Sequence, residues 1–143
     1  MTLNYRNAVL GGIAGTAVMT VMSVYLAPMM GIPRMNPAEM LAGQMGGSLM
    51  MGWLAHLMVG IVLAVGYALV APSLPGAPWL RGATYGLAPW LLLQVAVMPM
   101  MGMPLFSGSM VMAGGSLVGH LIYGAVLGAI YGHPPAAPRL AYA

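Results

Sequence analysis

Polar residues in this chain are confined to short breaks between four long apolar runs, Ala8–Met30, Leu49–Ala71, Trp79–Met101 and Met110–Gly132. Each run exceeds the ~20 apolar residues that a helix needs to cross a bilayer. None contains Asp, Glu or Lys, and Arg81 stands only at the edge of the third, within reach of the headgroups. The runs are continuous and lack the alternation of a membrane β-barrel. The pattern predicts an all-α fold, a transmembrane four-helix bundle, in a single domain covering 1–143. Gly31-Ile32-Pro33 stops the first helix. Asn36-Pro37-Ala38-Glu39 reads as a helix start, with Asn as cap, Pro at the first position and Glu at the third. A short interfacial helix is expected from Pro37 to about Met45, ended by Gly46-Gly47. The segment 71–78 is a Pro-rich turn, and the tail from His133 to Arg139 is too rich in proline to be helical.

The runs repeat in pairs. Met29-Met30-Gly31-Ile32-Pro33 closes the first and Met100-Met101-Gly102-Met103-Pro104 the third. The second and fourth share His-Leu-x-x-Gly-x-Val-Leu-x-x-x-Tyr, from His56 to Tyr67 and from His120 to Tyr131. Two tandem helical hairpins of the same orientation are therefore expected, related by a pseudo-two-fold axis along the membrane normal. Small residues supply the close packing that lipid does not drive: Gly11, Gly12, Gly15, Thr16, Thr20 and Ser23 on the first helix, and Gly115, Ser116, Gly119, Gly124, Gly128 and Gly132 on the fourth. Pro89 is expected to kink the third helix, and Gln94 to bond across helices. Trp53 and Trp79 read as interface anchors.

Composition narrows the class. Of 143 residues, 61% are hydrophobic and 3% charged, against roughly 25% charged in soluble domains. A soluble domain, a disordered chain and a nucleic-acid binder are excluded. The absence of cysteine removes disulfides, thiolate metal sites and cysteine nucleophiles. One acid in the whole chain, Glu39, closes most hydrolytic and acid–base mechanisms and argues against an ion-coupled transporter. Arg6, Arg81 and Arg139 fall on one side of a four-span chain and Arg34 on the other. Positive residues favour the cytoplasm, which predicts a multi-pass cell (inner) membrane protein with both termini cytoplasmic.

The segments Gly12-Ile13-Ala14-Gly15-Thr16-Ala17-Val18-Met19-Thr20-Val21-Met22-Ser23, Gly31-Ile32-Pro33 and Asn36-Pro37-Ala38-Glu39-Met40-Leu41, followed by His56 and Gly60, resemble a family of small four-span prokaryotic membrane proteins of uncharacterised function. The resemblance covers most of the chain. It implies the fold and a membrane location, and it brings no functional residue.

Two sets of residues carry candidate chemistry. His56 and His120 each stand about two turns inside the outer end of helices that are diagonal in an up-down bundle, so their imidazoles can face across the core. Gly60 and Gly124, four residues on, leave clearance for a flat ring, and Tyr67 and Tyr131 lie farther down the same faces. This is the pattern of bis-histidine haem b ligation, with a metal or proton role and interhelical hydrogen bonding as the alternatives. The second set is methionine, with 17 in the chain. Most belong to the outer helix ends and connectors. Met35, Met45, Met98, Met100, Met101 and Met103 are candidate Cu(I) ligands through soft thioethers. Met29, Met30, Met50, Met51, Met110 and Met112 are candidates for docking a partner, since flexible thioethers suit adaptable surfaces. The reading that follows is a non-catalytic integral membrane protein, a small accessory subunit of a larger membrane complex, respiratory or redox in character. It lies in the lipid bilayer beside other membrane-protein subunits and has no nucleic-acid partner. A haem b electron-transfer protein and a copper-handling protein are the alternatives.

Overall fold

The computed structural model describes residues 3–133. Four helices are long and apolar enough to cross a membrane: α1 (Tyr5–Met29), α3 (Leu49–Ser73), α4 (Pro78–Met100) and α5 (Met110–Tyr131). The short α2 (Pro37–Gln44) lies between the first two. The chain is thus an all-helical, multi-pass membrane bundle, with no strand among the described residues. Of the proline-rich tail, residues 134–139 lie outside them. The side chain of Asn36 accepts from the Ala38 N–H, and Pro37 takes the first helical position, where its missing N–H costs nothing.

Around the bundle, α1 packs between α3 and α5, and α4 packs on α5. The ring is loosely closed between α3 and α4. There Tyr85 donates to the Leu63 carbonyl at 2.8 Å, and the Tyr67 ring stands edge-on to Tyr85 at 5.3 Å. The small residues decide who touches whom. A Cβ on Gly11 or Gly15 would strike Leu127 or Tyr123 of α5, and one on Gly12 would strike Ala64 of α3. Gly82 and Gly124 each occupy the space over the other's carbonyl where a side chain would stand. Below this level Tyr67, Tyr131, Leu127, Ala64 and Ala68 form the apolar core, with the Tyr67 and Tyr131 rings 5.5 Å apart.

The repeat extends to the backbone. The α-helical ladder widens to π geometry over Met22–Leu26 in α1 and over Leu93–Val97 in α4, at equivalent positions of the two halves. Both π-turns precede a proline, Pro28 and Pro99. A proline ring clashes with the carbonyl four residues back in a regular helix, and a widened turn relieves this. Both helices then end on a left-handed glycine, Gly31 (φ 78°) and Gly102 (φ 76°). The next residue's N–H returns to the carbonyl at the start of the last turn, Ile32 to Ala27 and Met103 to Met98. The kink expected at Pro89 is displaced: α geometry continues through it to Leu92, and the departure comes at Leu93–Val97.

Candidate functional site

The π-turns shape the middle of the bundle. In π register the Ser23 carbonyl points to residue 28, which is proline and has no N–H. The Met35 N–H fills this place at 3.3 Å and draws the connector back into the bundle. Farther along, α2 lies tightly on α3, because Gly52 has no side chain to strike the Ala38 carbonyl. Together these contacts set α2 as a cover over a cavity of about 250 Å³. The walls are almost wholly apolar, with Met19, Leu63, Leu93 and Val97 among them, and Val59 and Leu92 flank it on the open α3–α4 seam.

Both histidines line this cavity. His56 is buried and has its Nε2 3.0 Å from Thr20 Oγ1. His120, also buried, has Nδ1 2.8 Å from the Ser116 carbonyl. His56 also borders a shallow outer groove between α1 and α3, beside Trp53, whose ring centre is 6.4 Å away. The expectation that the two stand equally far along their helices is corrected. His56 is seven residues past the start of α3 and His120 ten past the start of α5, nearly one turn more.

The other expected site residues divide sharply. Gly60 borders the cavity but packs against Thr16 of α1, and Gly124 packs on Gly82 of α4. The clearance read from sequence is real, but helices fill it, so neither glycine frees a ring face. Tyr67 and Tyr131 do not floor the cavity. They belong to the core cluster, and Tyr123, which donates to the Gly60 carbonyl, stands in that place. With this packing and so small a space, below the roughly 300–1,000 Å³ of pockets for drug-sized ligands, the residues do not fit a haem between the two imidazoles. Gln94 does not bridge two spans. Fully buried, it accepts from Ser107 Oγ in the α4–α5 connector at 3.1 Å.

Of the six methionines expected as copper ligands, Met35, Met98 and Met101 line the cavity, while Met45, Met100 and Met103 are not among its lining. Met19 and Met40 line it too and were not singled out from the sequence. Only the three-dimensional path of α2 brings Met40 there. Met29, Met30, Met50, Met100 and Met110 are 70–86% exposed, all at the ends of the spans nearest α2. Met51 is less exposed and Met112 is half-buried. Outside the spans, the Arg34 guanidinium meets Glu39 in a two-bond pair at 2.8 and 3.3 Å. That pair, with help from Asn36, holds the Glu39 carboxyl below the usual glutamate range. No group of three or more His, Cys, Asp or Glu exists among the described residues.

No curated protein and no solved structure matches the chain. Residues 3–141 match a family of unknown function, DUF6789, and the chain, a four-span helical bundle with a histidine- and methionine-lined cavity, belongs to that family.

Proposed function

We propose that the protein is a non-catalytic subunit of a larger assembly in the cell membrane, docked by its outer, methionine-rich end, with both termini cytoplasmic. One observation carries this reading: Met29, Met30, Met50, Met100 and Met110 stand 70–86% exposed at one end of four antiparallel spans. Lipid contact accounts for apolar side chains at mid-span. It does not account for large apolar tips gathered at the level of the headgroups. An exposed apolar patch of this kind marks an interaction surface, and unbranched thioethers adapt to the shape of a partner. Arg6 and Arg81 at the opposite end, against Arg34 near α2, support the orientation.

The test is native electrophoresis of mildly solubilised membranes. The wild-type chain should migrate in a discrete assembly far above its own 14.8 kDa. Replacement of Met29, Met50, Met100 and Met110 by serine should release it as a folded, isolated chain. A wild-type chain that migrates alone at native abundance would refute the reading.

A further inference from the structure

Docking at the outer end leaves the internal cavity unexplained, and hydrogen-bond accounting there is informative. A neutral imidazole has one N–H and one lone pair. The Ser116 carbonyl can only accept, so His120 Nδ1 carries its proton and Nε2 the lone pair. Thr20 Oγ1 gives its single proton to the Thr16 carbonyl at 2.8 Å, so His56 Nε2 is the donor to Thr20 and Nδ1 keeps the lone pair. Both lone-pair nitrogens lack a hydrogen-bond partner among the described residues. Neither is sealed off: the buried side-chain atoms without a partner are Thr16 Oγ1, Arg81 Nε, Gln94 Nε2 and the Tyr131 hydroxyl. Met98, the one methionine fully inside the bundle among the described residues (4% exposed), lines the same cavity from α4.

We propose that this cavity binds one Cu(I) ion through His56, His120 and Met98. The inference is independent of the docking surface. Imidazole and thioether are ligands for a soft ion. Each ring has its other N–H held by a hydroxyl or a carbonyl, the second-shell arrangement that orients metal-binding histidines. Charge selects among metals. The cavity lining contains no carboxylate, and Glu39, the chain's single acid, is tied to Arg34 outside it. A divalent ion held by neutral ligands would keep its whole charge in an apolar space, whereas a monovalent one costs far less. Zinc sites use Cys, His and carboxylate ligands, of which only two are present here. The thioethers of Met35 and Met101 stand on the α2 side, where a soft ion would enter from the outer end. Binding is coordination alone: the ion arrives as Cu(I), and the two lone pairs and one sulfur add to it without oxidation.

The experiment is anaerobic titration of the full-length chain in micelles with Cu(I) against a competing Cu(I) chelator, followed by X-ray absorption. The expected result is one ion per chain with two nitrogens and one sulfur in its shell. His120→Ala and Met98→Leu should each weaken binding at least tenfold. Thr20→Val, which removes only the orienting partner of His56, should weaken it by roughly 10–100-fold. Met58→Leu, on an exposed methionine of α3 outside the cavity, should leave Cu(I) binding unchanged, and Met98→Leu should leave the native assembly intact. If His120→Ala does not fold, Met98→Leu keeps the volume of the side chain and decides alone. No bound Cu(I) in the wild type overturns the proposal. So does wild-type Cu(I) affinity in the Met98→Leu variant, or a loss of affinity in Met58→Leu.

Discussion

A Cβ on Gly124 would land on the carbonyl of Gly82, and backbone cannot swing aside as a flexible side chain does. Gly124→Ala should therefore lower bundle stability in micelles by about 1–3 kcal/mol. Gly114→Ala on the same helix, with nothing within 4 Å of its Cβ, should stay within about 0.5 kcal/mol of wild type. Equal losses in a denaturation series would show that the α4–α5 approach is not as close as described. Glu39 offers a second reading at this scale. Its pairing with Arg34, and then its bond with Asn36, lowers its pKa on folding. The contribution is therefore present above the ordinary glutamate pKa of about 4.3 and is lost as pH falls through the lower folded value. An NMR titration of the Glu39 carboxyl should show a midpoint below the ordinary value that rises toward it in Arg34→Ala. An unchanged midpoint in that variant would assign the shift to another cause. The glycines also show the limit of sequence at this scale. An absent side chain reveals that space is needed, but not what takes it. Gly60 and Gly124 made room for helices, not for a macrocycle.

At the scale of the element, two π-turns, each followed by a proline, and two left-handed glycines make each half end in the same way, and the first has a consequence for the cavity. Pro28 cannot serve the Ser23 carbonyl, so the Met35 N–H does. Pro28→Ala supplies a local donor, and Met35 should lose its bond. A hydrogen bond of about 0.5–1.5 kcal/mol predicts roughly 2–10-fold faster amide exchange at Met35. Unchanged protection there would mean that the connector is held by something other than this carbonyl. The start of α2 was legible because Asn-Pro-x-Glu is a local signal, complete within one turn. The π-turns were not, since their proline partner reads equally well as a helix terminus.

For the whole molecule, sidedness is the testable property. A cysteine at Gly43, exposed on α2, should react from outside intact cells with a membrane-impermeant thiol reagent. One at Ser73, exposed at the end of α3 that leads into α4, should react only after permeabilisation. The reverse pattern would invert the proposed orientation. The bundle's shape at this scale depends on uneven packing. Glycine and threonine stripes hold α1 against two neighbours and α4 against one, and the α3–α4 seam is bridged by tyrosines instead of small residues. That asymmetry leaves the cavity open above Tyr123.

The membrane class, the four spans, α2 and the twofold repeat follow from sequence alone. Continuous apolar length, capping residues and repeated motifs are local along the chain, and lipid leaves helices few other choices. His56 and His120 border one cavity, as equivalent core-facing positions in two repeats imply, but they do not stand equally far along their helices. The composition of the cavity depended on tertiary structure. Whether Met98 points inward while Met100 points outward turns on helical phase after a π-turn, and whether Met40 and Tyr123 enter the cavity turns on where α2 docks and how closely α1 meets α5. Those are packing distances between segments remote in the chain, set by backbone-to-backbone contact at glycine, and no local pattern encodes them.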